Sequence, residues 1–144
     1  MTVEVLEKFV DFDDKVVFDY NPQPLIVKHI LPHVKRYVCF EKPHIYDLLS
    51  LTKKAQIVKS FTDIEKEKFD IVIFYDDGIK KEISEYLLFL KKLLGLLAKK
   101  GVFVVILVKS RITATFLITF LSQFMKKVSY SKEDSEEVIL CQKG

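Results

Sequence analysis

Apolar residues fall in short blocks along the chain, and the spacing inside each block separates strand from helix. Val16-Val17-Phe18, Val38-Cys39-Phe40 and Ile71-Val72-Ile73-Phe74 are unbroken runs rich in β-branched and aromatic residues. Such runs suit strands covered on both faces, as in a parallel sheet. Strands are predicted over residues 15–20, 36–41, 55–61, 69–75 and 102–108. Between them the apolar period lengthens toward that of a helix. The helices are predicted over 3–10, over 24–34 with Pro24 in the first turn, and from Pro43 through Leu51. A long helix is expected over 79–99, stopped by Gly101, and another over 112–126. Two final strands, 128–131 and 138–141, are joined by the charged turn Lys132-Glu133-Asp134-Ser135-Glu136. Alternating strands and helices imply parallel strands with right-handed crossovers. The closing hairpin adds an antiparallel strand at or near one edge. The fold class is α/β, a doubly wound sheet of about seven strands over residues 1–144 as one domain.

Composition narrows the function classes. With 144 residues, 49% apolar and 30% charged, the chain can bury a sizeable core and is not a disordered segment. The net charge of +3 is mild, and Lys and Glu alternate along the surface positions. That pattern reads as a solvated surface rather than a nucleic-acid stripe, so RNA binding through the lysines is the less favoured reading. No apolar run reaches the length of a membrane span and the N-terminus lacks a signal-peptide pattern. The expected location is the cytoplasm. Cys39 and Cys141 lie inside predicted strands and read as buried free thiols. His29 and His33 stand four apart on a helix, with His44 and Cys39 as further donors. Pro32 disturbs that turn and no carboxylate stands at a helpful spacing, so a half-exposed histidine pair is expected and no metal site.

The stretch Val16-Val17-Phe18-Asp19-Tyr20-Asn21-Pro22-Gln23-Pro24 is a strand running into a turn and a helix. Turns of this type hold nucleotide cofactors in doubly wound proteins, and glycines there let the backbone approach the ligand. Here the first glycine of the chain is Gly78. Downstream, Phe69-Asp70-Ile71-Val72-Ile73-Phe74 and Leu96-Leu97-Ala98-Lys99-Lys100-Gly101-Val102-Phe103 recur at ordered intervals. The arrangement resembles the class I S-adenosylmethionine-dependent methyltransferases, whose Rossmann-like sheet has seven strands with the last antiparallel. That resemblance implies S-adenosylmethionine as the cofactor. It places Asp19 at the acid that ends the first strand, Glu41 at the acid that holds the ribose, and Asp63 near the adenine amine. It aligns Asn21, Gln23 and Leu25 with the family's glycines, while Pro22 and Pro24 remove two backbone donors. Asp19, Asn21, Glu41 and Asp63 are therefore the cofactor candidates, with weak binding or none expected from the rewritten loop. As plain residues, Asp19, Glu41 and Asp63 can equally be strand-end acids facing solvent or a helix N-terminus.

The C-terminal half, in Gly101-Val102-Phe103-Val104-Val105 and Ser135-Glu136-Glu137-Val138-Ile139-Leu140, also looks like the heat-shock ribosomal RNA ribose 2′-O-methyltransferases. Their Lys-Asp-Lys-Glu tetrad is matched by Asp76 and Glu137 alone. Ile106 stands where the second lysine belongs, Lys109 lies further on, and no N-terminal lysine aligns. Two of four members do not make a catalytic site, because the lysine eases removal of the ribose proton. Asp76, Asp77 and Glu137 remain catalytic candidates. Asp76-Asp77-Gly78 is also a simple turn and helix N-cap.

The predicted 112–125 helix carries no charge. Ala114, Leu117, Phe120, Leu121 and Phe124 form the face expected to cover the sheet. Phe116, Thr119 and Gln123, with Thr115 and Ser122, form an uncharged opposite face suited to a protein interface. On the 79–99 helix, Ile83, Tyr86, Leu87, Leu90, Leu94 and Leu97 make the main stripe, and Leu88, Phe89 and Leu96 fall outside it. These features favour a degenerate methyltransferase-like domain with little or no catalysis, working through a protein partner or a homo-oligomer. The competing expectation is an active S-adenosylmethionine-dependent methyltransferase on RNA or a small molecule.

Overall fold

The computed structural model describes residues 2–50 and 52–144. The elements run α1 (Thr2–Phe9), β1 (Val16–Asp19), α2 (Pro24–Ile30), β2 (Arg36–Phe40), α3 (Ile45–Leu49) and β3 (Ala55–Val58). A 3₁₀ turn (Phe61–Asp63) leads to β4 (Phe69–Asp76), α4 (Ile83–Gly95), β5 (Leu97–Val108), α5 (Ala114–Leu121), β6 (Lys127–Glu133) and β7 (Glu136–Gln142). The seven strands make one sheet in the order β3-β2-β1-β4-β5-β7-β6. Strands β3, β2, β1, β4 and β5 are parallel, and β7 is antiparallel to both β5 and β6. The α/β class, the strand count and the antiparallel hairpin are as expected.

The sheet is buried on both faces because alternate residues of the central strands point to opposite cores. Phe18, Val72, Phe74, Phe103 and Val105 pack toward α4 and α5. Val17, Tyr37, Ile71, Ile73 and Val104 pack toward α1, α2 and α3. Cys39 and Cys141 are buried free thiols. The strand order reverses between β1 and β4, so their carboxyl ends open the crevice where ligands bind in open α/β sheets.

Several boundaries differ from the expectations. The 24–34 helix stops at Ile30, because Pro32 cannot continue it. The helix after Pro43 spans only Ile45–Leu49, and Leu51, its expected end, lies outside the described residues. The 79–99 helix is shorter at both ends. Its start is delayed because the Ile79 amide donates to Asp76 Oδ1 (2.9 Å), which fixes a turn instead. Its end at Gly95 comes early because Leu97 pairs with Phe69 and β5 has already begun. Gly101 is therefore a strand residue and not a helix stop. After the Phe69–Leu97 pair the register slips before Ile71 meets Val102, and Lys100 takes φ 64° in that irregularity. A Cβ on Gly101 would stand 2.8 Å from the Ala98 carbonyl oxygen, so only glycine fits there. The 112–126 helix is confined to Ala114–Leu121, and Phe124 beyond it is 48% exposed rather than covering the sheet. Phe89 on α4 and Leu96 just after it are core residues, whereas Ile83, in the expected apolar stripe, is half exposed. The reason is tertiary: Phe89 turns toward Tyr20 after β1, Phe61 on the 3₁₀ turn and Phe74 on β4, and no sequence period could register them.

Candidate functional site

The rewritten loop sits at the mouth of the β1–β4 crevice and is stitched shut by its own side chains. The Asn21 Nδ2 amide donates to the Tyr75 carbonyl oxygen at 3.0 Å, spanning from the end of β1 to the end of β4. The Lys42 ammonium donates to Asn21 Oδ1 at 2.8 Å and to the Pro22 carbonyl at 3.0 Å. Gln23 Nε2 closes the turn on the Asn21 carbonyl at 3.2 Å. Pro22 is buried beneath this brace. Pro24 opens α2, so one of the amides a helix start normally offers an anion is missing. Lys42 is the member that sequence reasoning missed. Its only signal was position, immediately after the strand-end acid Glu41.

Below the brace lies Asp19, which is 1% exposed. The Tyr37 hydroxyl donates to its Oδ2 at 2.7 Å, while Oδ1 is buried without a hydrogen-bond partner. Burial pushes its carboxyl up to about 7, against the opposing pull of the Tyr37 hydrogen bond and the Lys42 charge. The same pocket pushes the Tyr37 phenol well above its ordinary value, through burial first and Asp19 second. Burial also raises the Cys39 thiol to about 12, so it is an inert core sulfur. The orphaned oxygen has a local cause. A carboxylate at this turn needs N–H donors, and proline supplies none.

The other two cofactor candidates make no hydrogen bond to Asp19 or Asn21 among the described residues. Glu41 is exposed and accepts from the Tyr46 hydroxyl at 2.9 Å. Asp63 is exposed; its Oδ2 accepts the Lys59 and Ser60 amides, both at 3.2 Å, and completes a capping box on the 3₁₀ turn.

Among the catalytic candidates, Asp76 is completely buried and fully engaged. Oδ1 accepts the amides of Gly78 and Ile79, and Oδ2 accepts the hydroxyls of Tyr86 (2.7 Å) and Ser110 (2.6 Å). Such a carboxylate locks the β4 loop to α4 and to the loop after β5, and has no capacity left for a substrate proton. It builds a turn but not an N-cap, since Glu82 occupies the cap of α4. Asp77 is exposed beside it, and Glu137 on β7 accepts from the Tyr130 hydroxyl at 2.6 Å. Glu137 pairs with Leu107 near the end of β5. His29 and His33 are each engaged by an acid, Glu7 at 3.2 Å and Asp13 at 3.1 Å. Among the described residues no cluster of three or more metal-type donors forms. No helix among them is long and apolar enough to cross a membrane.

No protein-family model and no curated protein matches the sequence. Comparison with solved structures is decisive for the architecture. The N-methyltransferase NodS from Bradyrhizobium japonicum WM9, crystallised with S-adenosyl-L-homocysteine, superposes with TM-score 0.79 at 11% identity, over 97% of this chain and 86% of its own. The chain has the fold of the class I S-adenosylmethionine-dependent methyltransferases. A Burkholderia thailandensis 1,6-didemethyltoxoflavin-N1-methyltransferase gives TM-score 0.74 at 16% identity, over 98% of this chain and 76% of that one. The pyocyanin biosynthetic protein PhzM gives TM-score 0.74 at 13% identity, over 99% and 54%. Likeness at this identity fixes the backbone and leaves the site to be judged on its residues. At the mouth of the crevice several polar groups are engaged by one another. The crevice carbonyl of Tyr75 and the loop carbonyl of Pro22 accept from the chain's own donors, and Asp63 Oδ2 accepts backbone amides.

Proposed function

We propose that this is a degenerate methyltransferase-fold domain with little or no catalysis, which works through protein contacts in the cytoplasm. The observation that carries the reading is the Lys42–Asn21–Tyr75 brace, which spends on the chain itself the polar groups a cofactor would need. Losing several contacts at about 1 kcal/mol each costs far more than tenfold in affinity. The fully satisfied Asp76 supports it, because all four of its hydrogen bonds are made within the chain. One contact surface is the outer face of α5 around Phe116, Thr119 and Gln123. It carries no charge, so a second copy can meet it without like-charge repulsion.

The competing reading, an active methyltransferase on RNA or a small molecule, has one observation in its favour. Asp19 Oδ1 is a buried acceptor without a donor, and a cationic ligand would satisfy it. Isothermal titration with S-adenosylmethionine and S-adenosylhomocysteine separates the two. The degenerate reading expects no heat of binding at millimolar ligand. Micromolar affinity that disappears in Glu41→Ala would overturn it. Light scattering addresses the α5 surface, and a monomer indistinguishable from its Phe116→Glu variant would remove that surface.

A further inference from the structure

The two faces of the sheet are covered unequally. Toward one face pack α1, α2 and α3, and toward the other only α4 and α5. The crossover from β3 to β4 passes over that second face with nothing longer than the 3₁₀ turn at Phe61–Asp63. A slot of about 610 Å³ remains beside α4. Its floor is aromatic. Tyr20, Phe40, Phe61 and Phe89 meet edge to face, with ring centroids 4.6 to 5.8 Å apart across Tyr20–Phe89, Phe40–Phe61 and Phe61–Phe89. Leu88 projects from α4 at the rim, 62% exposed. None of Asp19, Asn21, Glu41 or Asp63 lines this slot.

The rim is basic. Lys81, Lys91 and Lys92 line it against the single acid Glu85. Among the described residues none of the three lysines has a carboxylate partner. Their ammoniums lie over rings instead, Lys81 on Phe89 and Lys92 on Phe61, each 5.7 Å from the centroid, and Lys91 on Phe124. An apolar slot with unpaired cations at its rim is complementary to an apolar stripe flanked by carboxylates. An amphipathic helix offers that pattern, with anchors at i, i+3 or i+4, and i+7. The place of the slot, where a crossover helix is wanting, is a place where a helix packs onto a sheet. Two other occupants fit less well. Base stacking needs open ring faces, and the Phe61 and Phe89 faces already carry ammoniums. A second copy would bring a like-charged rim against this one.

We propose that the aromatic slot beside α4 docks an acidic amphipathic helix of a partner protein. The inference rests on the reading of this domain as a protein-contact module and names the chemistry of one partner. It is tested with a phage-displayed library of single-helix peptides panned against the intact chain. Selected peptides are expected to carry acids beside an i, i+3/i+4, i+7 apolar stripe. Their Kd, read by fluorescence anisotropy, should rise at least tenfold in a Lys81→Glu, Lys92→Glu double variant and in Leu88→Asp. Leu88 is exposed enough that its variant keeps the wild-type melting curve and serves if the double variant does not. Raised salt should weaken binding as well. The proposal fails if the selected peptides lack acids, if none is selected, or if they bind both variants as tightly as wild type. It fails also if an oligo-uridine or self-association, rather than an acidic peptide, is what the variants abolish. Cofactor titration is read separately: micromolar S-adenosylmethionine binding would sink the non-catalytic reading, and loss of peptide binding alone would sink only the slot.

Discussion

Two buried aspartates close adjacent strands of the same sheet, and their situations are opposite. Asp76, at the end of β4, receives two amides and two hydroxyls. Asp19, at the end of β1, receives one phenol and leaves an oxygen unpaired. The difference lies in the loops that follow. After Asp76 comes Gly78, whose φ of 107° lets the chain double back and present its own amide to the carboxylate. After Asp19 comes Asn21-Pro22-Gln23-Pro24, where two of the four residues have no N–H to give. One strand end is therefore a rivet and the other a half-satisfied acid beside Lys42 and Asn21. A carboxylate's role here follows from the donors its loop supplies.

Breaking the rivet should have the largest effect. Asp76→Ala leaves four donors without their acceptor, and a loss of about 3–5 kcal/mol is expected in urea unfolding. A loss below about 1 kcal/mol would show that water satisfies those donors instead.

The next effect is a pH dependence. The Asp19 carboxyl titrates near 3.8 when unfolded and at about 7 when buried, so the native state holds the proton more tightly. Stability from this group is fully present below pH 4 and is lost as pH rises to about 7, by on the order of 4 kcal/mol at most. Asp19→Asn should flatten that part of the stability curve and gain most over wild type near pH 8. Parallel curves for the two proteins across pH 4–8 would mean that Asp19 is ionised and paired in solution.

A smaller effect tests the brace. Lys42→Met keeps the stem and removes the ammonium, breaking two hydrogen bonds of a half-buried group, and should cost about 1 kcal/mol. Hydrogen exchange at the loop after β1 should rise in the same variant, and an unchanged rate would mean that Asn21 holds the crevice alone. The smallest change is expected at Glu41→Ala, within about 0.5 kcal/mol of wild type, because its only bond is an exposed one to Tyr46. A larger loss would assign Glu41 a structural part.

Much of the fold was legible in the sequence because strands buried on both faces must be apolar throughout. Val16-Val17-Phe18 and Ile71-Val72-Ile73-Phe74 leave no other reading once helices separate them. The 97–101 segment was not legible. Leu96-Leu97-Ala98-Lys99-Lys100 has helical propensity, and only pairing with Phe69 and the tight approach at Gly101 draw it into β5. At the candidate site the missing glycines were plain, and the loop's own side chains make the hydrogen bonds there. The uses of Asp63 and Asp76 were hidden, because a carboxylate bound to nearby amides has the same letters as one facing a ligand.

By itself the sequence determined the α/β class, the order of the elements, the two cysteines in strands and the absence of glycine from the first turn. These depend on local pattern: alternation, proline's missing N–H, and the absence of glycine. Only the tertiary structure decided which acids were satisfied, that Lys42 reaches across to Asn21, and that an aromatic slot stays open beside α4. Those facts depend on distances between residues far apart in the chain, set by the packing of the whole sheet.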